Sequence, residues 1–169
     1  AIELGARGLN SAPTMGDISF EGALWQGICQ LAGGDADCAL VGGVDELNKY
    51  PLGIGKRWGF WTEQTRPGEG AMVAQIVPEV TNPPHAGGHL ARVTALRLGR
   101  FRRPFAAAPE VDWIAPAVDL AKASALFTGA RGWAALEENY QAVATALNHK
   151  AGRELEPHTY KQDCGEFGA

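Results

Sequence analysis

The spacing of apolar residues predicts two amphipathic helices. Over residues 18–32 the apolar positions recur at steps of three and four, as one helical face requires, and Gly33-Gly34 ends the segment. Residues 133–149 show the same spacing. Asp17 stands just before the first helix, where a carboxylate can accept bonds from free N–H groups and face the positive end of the helix dipole. We therefore expect Asp17 to cap that helix.

Shorter runs predict the strands. Residues 37–43 form a nearly continuous apolar run between turn residues, typical of a strand buried on both faces. In residues 45–67 the apolar residues recur at no regular spacing, which predicts a long connection without regular secondary structure. Further strands are predicted from composition and alternation at residues 70–77, 90–98, 111–115 and 158–161. A helix that leads into a buried strand predicts an α/β fold.

Composition narrows the function classes. A chain of 169 residues, 46% of them hydrophobic, fits one globular domain over residues 1–169. The net charge of −4 disfavours nucleic acid and anionic lipid as partners, and no apolar run is long enough to span a bilayer. Three dispersed cysteines, Cys29, Cys38 and Cys164, favour the reducing cytoplasm over a disulfide framework. Because residues 1–5 read as the end of a helix without an initiator Met, we expect the domain to lack an N-terminal segment and its natural C-terminal end.

Three weaker patterns bear on chemistry. His85 and His89 have a spacing that zinc sites use, but no further ligands lie nearby in sequence, so no metal is expected. Asp17 and Glu21 would share one helix face as a carboxylate pair, although capping and solvent exposure explain them as well. The glycines at 53, 55 and 59 lack the spacing of a nucleotide-binding loop, so no cofactor is expected.

Six segments in order along the chain together resemble the β-ketoacyl synthases, the condensing enzymes of fatty acid and polyketide synthesis. They are Gly5-Ala-Arg-Gly-Leu-Asn10, the helix from Ile18, Ala39-Leu-Val-Gly-Gly-Val44, Gly68-Glu-Gly-Ala71, Val111-Asp-Trp-Ile114 and Thr159-Tyr-Lys161 through Gly165. The resemblance implies a thiolase-like layered αβαβα fold, here shortened, and a dimeric assembly. The small size resembles the short, chain-length-factor-like branch found in aryl polyene and related lipid pathways.

The positions that match the family's catalytic residues have changed. The nucleophilic cysteine of the family, which begins a helix, falls on Asp17, and its two histidines fall on Ala117 and Glu166. Lys161 matches the family's lysine and is the one position of the four that is kept. The resemblance further implies that Ala117, Lys161 and Glu166 converge on the helix terminus at Asp17, and that Lys161 pairs with one of the two carboxylates.

These changes remove the chemistry of condensation. A Claisen condensation needs a thiolate that takes up the acyl chain and two imidazoles that assist decarboxylation and hold the enolate. Asp17 cannot form a thioester, Ala117 has no donor, and Cys164 lies on a different element from the helix terminus. The resemblance therefore implies a non-catalytic subunit that pairs with an active ketosynthase, as an alternative to a homodimer, and that works with an acyl carrier protein.

Two alternatives stay open at this level. One is a decarboxylase, acyl-transfer or hydrolytic enzyme that uses Asp17, Glu21 or Glu166 as a base. The other is a degenerate homologue without an activity of its own. In the family the strand before the nucleophile pairs across the dimer axis, so residues 10–16 are expected at a subunit boundary, with the pairing interrupted at Pro13.

Overall fold

The computed structural model describes residues 3, 5–15, 18–59, 61, 67–79, 90–99, 111, 119–129 and 134–159. These residues form a small mixed α/β structure with three α-helices and two two-stranded sheets. The α/β class is therefore confirmed, whereas two sheets of this size do not establish the layered αβαβα arrangement. By contacts the chain divides into two compact units, which take their described residues mainly from 1–45 with 70–93, and from 46–69 with 94–167.

The first unit consists of one helix packed on an antiparallel strand pair. Helix α1 (Ser19–Gly33) leads into strand β1 (Ala39–Asp45), which pairs with β2 (Gly70–Ile76). The contact between helix and sheet is close because α1 presents a glycine: a Cβ at Gly27 would lie 2.9 Å from both Ile76 Cδ1 and Val41 Cγ2. Val41 is buried at this contact.

Helix α1 confirms the helix predicted over residues 18–32, with its first and last residues each one position later than predicted. The helix begins at Ser19, and Ile18 occupies the capping position without a side-chain cap. Asp17, predicted as the cap, lies outside the described residues. At the other end Gly34 has a left-handed backbone with φ +76°, and the backbone N–H groups of Gly34 and Asp35 bond back to the last turn of the helix. The predicted glycine end is confirmed.

The apolar run of β1 predicted a strand buried on both faces. This prediction is wrong, because the side chains on one face are exposed. Val41 faces α1, whereas Leu40 and Val44, which alternate with it, are 56% and 73% exposed. Val73, the β2 partner of Gly42, is 63% exposed. An apolar run shows only that the side chains on both faces of a strand could be buried. Within the described residues, one helix covers this sheet, and it covers one of the two faces.

The second unit contains a parallel strand pair joined by a helix. Strands β3 (Leu126–Thr128) and β4 (Pro157–Thr159) pair in parallel, and helix α3 (Ala134–Ala151) lies between them in sequence. Parallel strands need such a crossover, because a tight turn reverses the direction of the chain and can join only antiparallel strands. A short 3₁₀ turn (Leu120–Lys122) precedes β3 and packs on α3. Among the described residues of this unit, the buried apolar side chains are those of Val111, Ala144, Leu147 and Leu155.

The irregular excursion predicted for residues 45–67 contains a helix, α2 (Lys49–Arg57). Asn48 caps it, since the Asn48 side chain accepts a hydrogen bond of 3.0 Å from the backbone N–H of Tyr50. Gly55 is buried because the indole of Trp61 occupies the space where a side chain would stand. The indole Nε1 of Trp61 is itself buried without a hydrogen-bond partner among the described residues.

Substitutions at the two glycines of α2 are expected to have opposite effects on stability. Gly53→Ala, in open space, should raise the free energy of unfolding by about 0.5–1 kcal/mol, because alanine favours the helix. Gly55→Ala should lower it by about 1–2 kcal/mol, because the new Cβ displaces the Trp61 indole. Chemical denaturation followed by tryptophan fluorescence measures both, and equal shifts of the same sign would contradict the packing of Trp61 on α2.

The remaining strand predictions have mixed outcomes. The strand predicted at 70–77 is confirmed by β2, and β4 covers the first two residues of the strand predicted at 158–161. The strand predicted at 90–98 is wrong, because residues 90–99 are described and carry no regular structure. An alternating pattern favours a strand only where another strand supplies hydrogen bonds. Of the strand predicted at 111–115, all but Val111 lies outside the described residues.

Candidate functional site

The four positions matched to the catalytic residues lie outside the described residues. They are Asp17, Ala117, Lys161 and Glu166, and the same holds for Cys164, His85 and His89. Their predicted convergence on the start of α1 therefore stays a prediction. The candidate site can be built from the residues that surround this helix terminus in the first unit.

Residues 11–15 run back along the first turns of α1. The backbone N–H of Met15 donates a 2.9 Å hydrogen bond to Ser19 Oγ, and the Ser11 hydroxyl donates to Gln26 Oε1. The thioether of Met15 lies where a Cβ at Gly22 would stand, with Sδ 2.6 Å from that point. The glycine at 22 thus lets the incoming segment lie directly against the helix.

The segment before the helix is not a strand within this chain. Residues 5–15 are described and form no strand pairing, and Pro13 lies in this irregular stretch. Proline offers no N–H to a ladder, which agrees with an irregular backbone at this point. The strand expected to enter the helix is therefore not formed by the described residues alone, and pairing with a second subunit stays a prediction.

Glu21 is the acidic side chain in the first turn of α1, and it is half-buried. A carboxylate at this position is stabilised by the positive end of the helix dipole and can accept hydrogen bonds or attract a cation. It cannot form an acyl thioester. Of the proposed pair, Glu21 is placed in the first helical turn and Asp17 lies outside the described residues.

The two described thiols lie away from the start of α1. Cys29 is exposed in the third turn of that helix, and Cys38 is exposed in the segment before β1. A thiol becomes a strong nucleophile at a helix N-terminus or beside a cation, and Cys29 and Cys38 lie at no helix N-terminus. No cluster of three His, Cys, Asp or Glu residues suited to a metal occurs within the described ranges.

Among the described residues, one pair of charged groups has shifted pKa values, and it lies in the second unit. The Lys122 ammonium lies 2.7 Å from Asp119, and this hydrogen-bonded ion pair lowers the pKa of Asp119 and raises that of Lys122. Both groups are solvent-exposed, so the pair adds little to folding stability. It joins the two ends of the 3₁₀ turn.

The sequence analysis did not predict a group of exposed apolar side chains on α2. Tyr50, Ile54 and Trp58 occur at every fourth position and are 70%, 51% and 68% exposed. The i, i+4, i+8 spacing was present in the sequence, but Pro51, Gly53 and Gly55 between these residues obscured the helical period.

No family model matches the chain, and no curated protein and no solved structure is significantly similar to it. Within the described residues, no helix is long and apolar enough to span a bilayer.

Proposed function

We propose that the chain is a ketosynthase-like subunit of fatty acid or polyketide synthesis that has lost the Cys-His-His triad. In this proposal it adopts a thiolase-like fold in the cytoplasm and pairs with an active β-ketoacyl synthase, whose acyl-chain pocket it helps to shape. An acyl carrier protein delivers the chain to that pair, and aryl polyene synthesis is one pathway of this kind.

The observation that carries the proposal is the adjacency of three of the six segments that resemble the family. The helix from Ile18 packs on β1, which contains the 39–44 segment, and β1 pairs with β2, which begins in the 68–71 segment. The register joins the ends of those two segments, since Val44 pairs with Ala71 and Asp45 with Gly70. Helix α1, β1 and β2, which contain parts of three segments that are separate in sequence, therefore pack together in the first unit, and this packing supports a common origin with the synthases.

The apolar surface of this unit supports a partner. Leu40, Val44 and Val73 expose aliphatic side chains on the face of the sheet that α1 does not cover. Aliphatic area in water is costly, at roughly 25 cal/mol per Å². A second protein layer, supplied by a synthase subunit, would remove that cost.

The loss of catalysis is tested by incubating the purified protein with an acyl thioester and measuring its mass. We expect no covalent adduct, because the position matched to the nucleophile is Asp17 and the described thiols lie away from the start of α1. An active β-ketoacyl synthase, treated in parallel, provides the control that forms the adduct. A stable adduct on Cys164 would overturn the non-catalytic proposal, and turnover of the thioester without an adduct would favour a base such as Glu21 or Glu166.

The pairing is tested by analytical ultracentrifugation of the protein alone and mixed with a candidate synthase. We expect a dimer that buries more than about 1,000 Å² in total, formed with itself in isolation and with the synthase in the mixture. Val44→Lys should weaken the association, because it places a charge on the apolar face of the sheet. A monomer under both conditions would contradict the partner role and favour a degenerate homologue.

A further inference from the structure

The apolar contact between residues 11–15 and α1 is centred on one thioether. The sulfur of Met15 lies against the helix at Gly22, which is buried. The Cβ of Pro13 lies 3.8 Å from the point where a Cβ at Gly22 would stand and extends this contact. The packing of the segment on the helix therefore depends on an atom that can be oxidised.

Two hydrogen bonds also join this segment to α1, and both are exposed to solvent. The backbone N–H of Met15 donates to Ser19 Oγ, and the Ser11 hydroxyl donates to Gln26 Oε1. Exposed hydrogen bonds add little net stability, because water can replace either partner. We therefore expect the packing of the Met15 sulfur to decide how firmly residues 11–15 are held.

A small oxidant can reach Met15, because this residue is 48% exposed. The thioether sulfur attacks one oxygen of hydrogen peroxide or of an organic hydroperoxide. A sulfur–oxygen bond forms as the oxygen–oxygen bond breaks, the sulfur is oxidised, the peroxide is reduced, and water or an alcohol leaves. The sulfoxide that results is polar, and it carries an additional oxygen on the atom that contacts the helix.

We propose that Met15 is a redox-sensitive contact, and that its oxidation to the sulfoxide releases residues 11–15 from α1. The sulfur lies 2.6 Å from the point where a Cβ at Gly22 would stand, so it occupies the space that the glycine leaves. A polar, bulkier sulfoxide group fits this apolar contact poorly. Release would uncover the first turns of α1. It does not depend on the proposed pairing with a synthase, because all of these contacts lie within the first unit.

Met72, the second of the two methionines of the chain, provides an internal comparison. It lies in β2 and is 58% exposed, so the same oxidant reaches it. Its oxidation adds the same mass and polarity outside the contact at Gly22. Oxidation of Met72 should therefore leave residues 11–15 in place.

The test is amide hydrogen exchange of the intact protein before and after treatment with hydrogen peroxide, with the oxidised residues mapped by mass spectrometry. We expect the Met15 N–H to exchange at least about fivefold faster once Met15 is oxidised, because its acceptor Ser19 Oγ is then left behind. Met15→Leu keeps an apolar side chain of similar volume and all three cysteines, so peroxide should not change exchange at position 15. Met72→Leu should respond to peroxide as the unmodified protein does.

Gly22→Ala imitates the release without an oxidant. Its Cβ would take the place of the Met15 sulfur, while alanine favours the helix and so preserves the fold. The Met15 amide should exchange fast in this variant before treatment, and peroxide should add little to the rate. Three results would overturn the proposal. They are unchanged exchange after oxidation of Met15, an equal response in the Met15→Leu protein, and resistance of Met15 to peroxide that oxidises Met72.

Discussion

Replacing Gly42 with alanine is expected to lower the free energy of unfolding by about 1–3 kcal/mol. Gly42 lies in the middle of β1, where the backbone of β2 comes unusually close: a Cβ at this position would collide with the carbonyl oxygen of Met72 and lie 2.9 Å from Val73 Cγ2. A side chain can rotate away from a new methyl group, whereas a carbonyl in a strand moves only if the two strands separate. The substitution should therefore weaken the β1–β2 pair itself.

The adjacent glycine provides the control. A Cβ at Gly43 would meet nothing within 4 Å, so Gly43→Ala should be neutral or stabilising by a few tenths of a kcal/mol, because alanine restricts the unfolded chain. Urea denaturation of both variants measures the difference. If Gly43→Ala were the more damaging of the two, the register that pairs Gly42 with Val73 would be wrong.

Helices with regular apolar spacing were predictable from the sequence, because that spacing gives one face that can pack on other elements. Helices α1 and α3 have regular apolar spacing, and Gly34 marks the end of α1 where predicted. Helix α2 was missed because Pro51, Gly53 and Gly55 favour irregular structure. It is stabilised by the Asn48 cap and by Trp61, contacts that a periodic pattern does not contain.

Strands depend on partners distant in sequence, and their predictions failed where the partner could not be foreseen. Residues 90–98 alternate well but pair with no strand in the described chain, whereas β3 has three residues and no alternation and forms a parallel pair with β4. The burial of β1 was overestimated for a related reason. Leu40 and Val41 are both large and apolar, and only the position of α1 decides that Val41 is the one covered.

For the candidate site, the sequence supplies a set of positions that stays a prediction, and it supplies no geometry. The resemblance to the synthases implies that Asp17, Ala117, Glu166 and Lys161 occupy the catalytic positions, and this stays a prediction because those residues lie outside the described ranges. The approach of Met15 to the helix at Gly22 was not foreseen. Glycine in a helix signals close packing, but it does not say which segment packs there.

Replacing Asn148 with alanine should lower the free energy of unfolding by about 2–4 kcal/mol. Asn148, near the end of α3, donates from Nδ2 to the carbonyl oxygen of Leu155 at 3.2 Å, and its Oδ1 accepts from the N–H of Leu155 at 3.1 Å. Leu155 is 5% exposed, so alanine at 148 would leave two backbone polar groups without a partner and away from water. The pair of bonds fixes the segment that leads from α3 into β4, and β3 would lose its partner strand with it.

Gln141→Ala is the matched control, because Gln141 is exposed on the same helix and its loss should change stability by less than about 0.5 kcal/mol. Thermal unfolding gives the global effect, and amide hydrogen exchange at Leu155 gives the local one. In the Asn148→Ala protein the Leu155 amide should exchange faster even under conditions where the remainder of α3 stays protected, because its acceptor was the Asn148 side chain. An unchanged exchange rate at the Leu155 amide would show that another group accepts a hydrogen bond from this N–H. The connection from α3 to β4 would then not depend on Asn148.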